Sequence, residues 1–384
     1  RSFILTLKMI RWKVPLYKIL VEKDDILDIS KVIKRGMHWA EGPEIEEFEK
    51  SLADYLGVNY CVAMNSGTSA LHATMLAYDV KKNDEILVPS FTFISTANAA
   101  LMVNAKPKFI DIETETYGMD PNILKKSISK KSKIIMPIHY SGLPCQIDEI
   151  RLIAKENKKI LIEDSAESIG ATINSKKIGS FGDASIFSFA GNKVLTTGEG
   201  GAVTTNSSKL YKKFKLIRSH GRKTGNYFLS TNKPEYVQLG YNWRMSTITA
   251  AIGLSQLNKI DKLISLRRKN AKVLNSHLNK IDSITLPPEP ENYKHVFQLY
   301  SILTPNQSIR NELQKFLASR GIMSKVFFYP VHLTAYYKKF KNTKFLDTTE
   351  NISKRILSLP MYPNMKKEEI QLIYESIFEF FEKK

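Results

Sequence analysis

The sequence predicts an α/β fold, with a mostly parallel sheet between helices and a smaller α+β region toward the C-terminus. Three observations carry this expectation. Short apolar runs alternate with helix-like stretches through the first two thirds of the chain. Several of those runs are continuous rather than alternating, as in strands covered on both faces. Near residue 260 the pattern changes to one long helical stretch followed by mixed elements.

The expected strands are 60–63, 85–88, 108–112, 133–138, 159–162, 185–189 and 202–204. The clearest early helix is 43–56. It opens with Pro43 after Gly42, carries acids in its first turn, repeats apolar residues at Ile45, Phe48, Leu52 and Leu56, and stops at Gly57. Residues 248–268 read as one helix running into a charged surface, and PPEPEN at 287–292 reads as a loop. A strand near 296–303, a helix near 309–319 and a strand near 323–328 follow. The last helix, 366–382, places Ile370, Ile373, Ile377 and the Phe380–Phe381 pair on one stripe.

At 384 residues the chain is too long for one small core. The expected division is a large α/β domain at 13–262 and a small α+β domain at 263–384. Residues 1–12 form a leader or extraneous segment, with a natural start near Met9. That segment is broken by Lys8 and Arg11 and has no small-residue cleavage pattern. No apolar run has the length of a membrane span, which excludes an integral helical membrane protein. Cys61 and Cys145 cannot build a disulfide framework and show no metal-ligand spacing. They read as small buried hydrophobes, and a reducing cytoplasm fits. The net charge is +19, which raises the question of nucleic acid. The basic residues, however, are scattered as pairs and triplets, such as Arg267-Arg268-Lys269, with no arm or stripe. A Lys-rich surface that attracts small anions is the expectation, with no nucleic acid and no membrane as partner.

Three segments carry chemistry. In NSGTSALHATMLAY, from Asn65, an apolar strand runs through a small-residue turn into a helix. Such a turn lets backbone N–H groups and the helix dipole meet a phosphate, although an ordinary capped helix start is the commoner reading of this segment alone. Neither a P-loop nor a GxGxxG pattern is present. In KKILIEDSAESIGA, an apolar run ends in Glu163-Asp164, at the strand end where open α/β sheets bind ligands. A carboxylate there can hold a cationic ring nitrogen; the run is too short for alternation to decide which acid points inward. In SFGDASIFSFAGNKVLTTGEGGAV, a strand leads to Asn192-Lys193 and a Gly-rich turn. Partial desolvation there would favour the neutral amine that Schiff-base chemistry needs. Phosphate cradle, acid and amine occur in that order along the chain.

From about Gly42 to the C-terminus the chain resembles the DegT/StrS-type sugar aminotransferases, fold type I enzymes that use pyridoxal phosphate (PLP). The resemblance rests on NSGTSALHA, VPSFTFISTANA, IEDSAESIGA, GSFGDASIFSFAGNKVLTTGEGGAV, RSHG, LGYNWRMSTITAAIGLSQL and LSLPMYP. It implies that Lys193 is the Schiff-base lysine and the acid/base for the proton shift. It implies that Asp164 pairs with the ring nitrogen and that Gly67, Thr68 and Ser188 hold the phosphate. Phe93 would stack on the ring, with Phe91 as the alternative. Glu167 stands where many relatives have Gln, near the ring hydroxyl. Asn242 would reach the phosphate from a neighbouring subunit, which implies a homodimer with shared sites. Lys193 itself argues against the dehydratase relatives, in which His replaces the lysine. The implied reaction moves an amino group from an amino acid, L-glutamate in this family, to a nucleotide-linked ketosugar. The motif pairing is most like enzymes of the GDP-perosamine synthase type, which act at C4 of a 4-keto-6-deoxyhexose. C3 aminotransferases share the same motifs. His38, His220, Arg222, Arg244 and His332 are the candidate substrate contacts.

Overall fold

The computed structural model describes residues 12–223, 233, 235–339 and 346–383. All but Trp12 of the expected leader lies outside these residues. Seven strands form the central sheet: β1 (Tyr60–Met64), β2 (Glu85–Pro89), β3 (Lys106–Ile110), β4 (Ser132–Ile135), β5 (Ile160–Asp164) and, after a short hairpin of β6 (Thr172–Ile173) and β7 (Lys176–Lys177), β8 (Ala184–Ser188) and β9 (Gly201–Thr205). Their spatial order is β1-β9-β8-β5-β4-β2-β3. Six of the seven run the same way; β9 is antiparallel to both β8 and β1. All seven strands overlap the runs read from the sequence, with ends shifted by up to three residues. The continuous apolar runs have the cause expected of them, because successive residues feed two different cores. Ile86, Ile134, Ile162 and Ile186 point to one face, while Leu87, Ile135, Leu161 and Phe187 point to the other.

Helices cover both faces. After α1 (Lys23–Arg35), α2 (Pro43–Leu56) packs Ile45, Phe48 and Leu52 onto one side, and its C-cap Gly57 has φ 72°. On the opposite side lie α3 (Gly67–Ala77) and α4 (Ile94–Met102). Between them and α7 (Ser208–Arg218) come α5 (Pro121–Ser127) and α6 (Ile147–Glu156). Cys61 and Cys145 are both buried and unbridged. Among the described residues no helix is long and apolar enough to cross a membrane.

The helix read at 248–268 is in fact two, α8 (Thr247–Asn258) and α9 (Ile260–Leu278), broken at Lys259, whose φ and ψ are −115° and 14°. The apolar pattern continues across the break, so it left no sequence signal. The Lys259 ammonium pairs there with the buried Asp25 carboxylate of α1. The expected boundary at 262/263 falls inside α9. Beyond it, β10 (Tyr293–Lys294) pairs with β6, and β11 (Tyr300–Leu303) pairs with β12 (Ile356–Leu359). With α10 (Gln307–Ser319), α11 (Asp347–Arg355) and α12 (Lys367–Glu382), these strands complete the fold. Leu274, Tyr300, Leu313, Leu357 and Ile373 share a core with Val14 from the other end of the chain. The strand read at 323–328 is reduced to one bridge, Lys325 to Ser358, on the edge of β12 opposite β11. The strand read at 296–303 keeps its second half only; residues 295–299 are irregular and have other partners, described below.

Candidate active site

The last residues of β5 and β8 place the site. Because β1, β5 and β8 run the same way, their C-terminal ends open onto one edge of the sheet, where ligands bind in such folds. Glu163 and Asp164 end β5 with their side chains on opposite faces, and their partners show which way each points. Glu163 accepts hydrogen bonds from the backbone N–H groups of Gly179 (2.9 Å), Phe181 (2.8 Å) and Gly182 (2.8 Å) and lies 3.3 Å from His139 Nε2. His139 Nδ1 accepts from Cys145 N, so the ring proton sits on Nε2 and faces Glu163. Burial opposes ionisation of Glu163, yet His139 and the amides outweigh it and hold its carboxyl below the ordinary value. Asp164 turns to the other side. It accepts from Thr96 Oγ1 at 2.7 Å and from Ala166 N at 3.2 Å. Burial pushes its carboxyl above the ordinary value, against these hydrogen bonds and the Lys193 charge.

Lys193 lies in the loop joining β8 to β9. The loop closes on itself: Phe189 N donates to Gly200 O, Thr197 N to Phe189 O, and Lys193 N to Ala190 O. The Lys193 amine is 3.3 Å from Glu167 Oε1, with its side chain 13% exposed. Glu167 Oε2 accepts from Ser141 N at 2.9 Å. Amine, Glu167 and Asp164 therefore interact in one partly buried space.

The turn after β1 supplies the cradle. Ser66 caps α3 by accepting from Ser69 N, and Gly67 is the first helical residue. A Cβ on Gly67 would stand 3.0 Å from Ser188 Cβ. The missing side chain thus lets the helix N-terminus and the end of β8 approach closely, with Thr68 Oγ1 3.1 Å from Ser95 Oγ. Backbone N–H groups, two hydroxyls and a helix dipole make an anion site. A buried acid, an amine and an anion cradle on one sheet edge fit the donor set that PLP requires: phosphate, ring nitrogen and carbonyl carbon each meet a group of the right kind. Phe93, at the N-cap of α4, is 58% exposed, whereas Phe91 is wholly buried against Tyr140 and Phe328. Of the two, Phe93 is the ring with an open face.

The remaining candidates separate. His38, Arg222 and Arg244 line a cavity of about 630 Å³ between the start of α2 and the end of α7. Lys193, Asp164 and Glu167 are not in its wall. Glu41 lies between the two guanidinium groups, 3.7 Å from Arg222 and 3.4 Å from Arg244. His220 and Asn242 are exposed. His332 is buried, with Nδ1 2.6 Å from Ser90 Oγ and Nε2 3.3 Å from Glu350, so both nitrogens are occupied and it does not reach the cavity. Sequence reasoning missed Thr96, Ser141 and Glu41. Each is an ordinary polar residue that becomes informative only through a partner elsewhere in the fold.

Comparison with known proteins identifies the family and the fold. Residues 20–378 match the model of the DegT/DnrJ/EryC1/StrS aminotransferase family. GDP-perosamine synthase of Escherichia coli O157:H7 is 35% identical over 347 residues, 90% of this chain and 92% of that protein. The structure of Helicobacter pylori PseC, an aminotransferase involved in the biosynthesis of pseudoaminic acid, has a TM-score of 0.91 at 29% identity and covers 97% of this chain and 100% of that one. The PLP form of Spr1654 from Streptococcus pneumoniae has a TM-score of 0.88 at 25% identity, covering 95% and 97%. The chain belongs to the DegT/DnrJ/EryC1/StrS aminotransferase family and is a PLP-dependent aminotransferase.

Proposed function

We propose that this protein aminates C4 of a nucleotide-linked 4-keto-6-deoxyhexose, such as GDP-4-keto-6-deoxymannose, with L-glutamate as donor. The observation that carries the reading is the meeting of Lys193, Glu167 and Asp164 at the ends of β5 and β8 beside the Gly67–Ser188 approach. The identity to GDP-perosamine synthase supports the choice of sugar position.

When bound, PLP supplies an electrophilic carbon for amine exchange and a ring that draws electrons from it. Lys193 would hold the cofactor, and its amine would hold and move the proton at the donor α-carbon. Asp164, ionised, keeps the proton on the ring nitrogen; the charge it meets there offsets the burial that otherwise raises its pKa. Gly67, Thr68 and Ser188 hold the phosphate, Phe93 covers a ring face, and Glu167 orients the Lys193 amine and the ring hydroxyl. The cavity of His38, Arg222 and Arg244 is suited to an anionic nucleotide diphosphate, because Lys215, Arg218, Arg222, Lys223 and Arg244 line it against the two acids Glu41 and Glu46. Asn242 would complete the site from a second subunit, which makes the working unit a homodimer.

The test is incubation with PLP, L-glutamate and a panel of nucleotide ketosugars, following 2-oxoglutarate. Turnover with a GDP- or dTDP-linked 4-keto sugar is expected. Turnover with 3-keto sugars alone overturns the C4 assignment. For the cofactor, Lys193→Ala should lose the bound-cofactor absorbance and borohydride trapping; retention of both overturns the role of Lys193.

A further inference from the structure

The irregular segment 295–299 touches both ends of Lys193. At the backbone end, Gln298 Nε2 donates to Asn192 O at 2.7 Å, the carbonyl of the peptide bond that leads into Lys193. At the amine end the connection runs through Glu167. Lys193 Nζ meets Glu167 Oε1, and Glu167 Oε2 is held by Ser141 N. The Ser141–Gly142 turn is fixed by the same segment: Leu299 N donates to Ser141 O (3.2 Å), Val296 N to Gly142 O (3.0 Å) and Ser141 Oγ to Leu299 O (3.1 Å). His295 Nε2 lies 3.4 Å from Ser141 Oγ, and its Nδ1 accepts from Phe297 N. Ser141 and Gly142 have φ of 63° and 92°, and a Cβ on Gly142 would stand 2.6 Å from Val296 Cγ2. Asn192, Lys193, Glu167, Ser141 and 298–299 therefore form a closed circuit.

Among the described residues, Gln298 is the one side-chain link of that circuit to the backbone of the lysine loop, and stability does not explain it. The residue is 3% exposed and its Oε1 has no protein partner. A buried amide with one half unsatisfied is a net cost to folding. An apolar side chain of the same length would fill the space without that cost. What an apolar residue cannot do is hold the Asn192 carbonyl; with the Lys193 N–H at the other end of that peptide unit already held by Ala190 O, the two bonds together set the direction in which the Lys193 stem leaves the backbone.

We propose that Gln298 is a positioning residue for Lys193, setting where its amine stands relative to Glu167 and the cofactor. The inference rests on the reading of Lys193 as the cofactor-bearing lysine. It assigns Gln298 no contact with substrate.

The test uses holoenzyme of Gln298→Met, Gln298→Glu and Gln298→His. Met keeps the shape and removes the donor, Glu keeps the polarity and removes the donor, and His returns an N–H at similar reach. Two readouts apply: the single-turnover half-reaction with L-glutamate, and the pH midpoint of the bound-cofactor absorbance. The Met variant should melt no lower than wild type, yet its half-reaction should slow at least about tenfold, as misplacement of a reacting group does. Its half-saturating L-glutamate concentration should stay within about twofold, and its absorbance midpoint should move by about half a pH unit or more. Glu should behave as Met does, and His should return both readouts toward wild type. Unchanged rate and midpoint in a folded Met or Glu variant overturn the proposal. So does a slower rate that appears only with a lower melting temperature and an unmoved midpoint. If Met fails to fold, Glu against His decides by the same readouts. Absence of a Lys193-linked cofactor absorbance in wild type is a different failure, that of the reading of Lys193 itself.

Discussion

Glu163 and Asp164 are adjacent in β5, and their carboxylates are held by different parts of the chain, Glu163 by His139 and the amides of 179–182, Asp164 by Thr96. One acid braces the sheet edge and the other is left for chemistry. Burial raises the Asp164 carboxyl above its ordinary 3.8. The native cofactor-free protein then binds this proton more tightly than the unfolded chain does. Its contribution to stability is therefore lost as pH rises from about 3.8 toward the raised native value. A cationic ring nitrogen reverses the shift. The melting-temperature gap between holo and cofactor-free protein should accordingly widen as pH rises through that window. Asp164→Asn should show a flat gap; an equal slope in both proteins would remove Asp164 from the site.

Glu167 accepts from Ser141 N and from Lys193. A glutamine can still accept one of these bonds through its single carbonyl oxygen, and alanine neither. Glu167→Gln should slow the half-reaction with L-glutamate by less than about tenfold, and Glu167→Ala by about 10²-fold. Equal rates in the two variants, measured by stopped-flow absorbance, would contradict the orienting role.

His295 is fully buried, and its pKa is lowered to about 3, by desolvation first and by the Arg268 charge second. The unfolded chain takes up this proton near pH 6.5 and the native protein does not. The resulting stability is present above pH 6.5 and is lost as pH falls toward about 3, by up to about 1.4 kcal/mol per pH unit. Urea unfolding of wild type and His295→Asn should diverge in slope below pH 6.5 and run parallel above it.

Glu49 and Arg218 form a buried ion pair at the sheet edge. Ala63 N donates to Glu49 and Arg218 donates to Ala63 O, so the pair also brackets β1. Glu49→Ala leaves the Arg218 guanidinium with Ala63 O alone among the partners described. It should destabilise the protein by about 3–5 kcal/mol in chemical unfolding. Replacing both residues by Met should cost less than Glu49→Ala.

The seven strands were legible because each carries consecutive apolar residues to two cores, a pattern that survives without knowledge of neighbours. Lys193, Asp164 and Gly67 were legible because each sits at a strand end in a marked local context. Asp164 was separable from Glu163 only through the family resemblance; the structure adds the physical reason, in the amides of 179–182 that claim Glu163. The break at Lys259 was hidden because the apolar pattern runs on across it, and the side-chain partner of Lys259 there, Asp25, lies more than 200 residues earlier. Thr96, Ser141 and Gln298 were hidden in the same way, by partners 68, 26 and 106 residues away. His332 lies in a conspicuous FYPVHL motif, and its conspicuousness comes from packing against Ser90 and Glu350.

The lysine loop joins two antiparallel neighbours, so β8, Lys193 and β9 can pair as a local hairpin soon after they meet. The contact that fixes the Asn192 carbonyl comes from Gln298, beyond α9. During refolding, the hairpin would form well before its lysine is correctly aimed. Uptake of PLP should therefore lag behind the recovery of sheet signal in circular dichroism and coincide with the docking of residues 295–299. The cofactor becomes a timer for the last long-range step, and a truncated chain that forms the sheet but lacks that segment should leave it unbound.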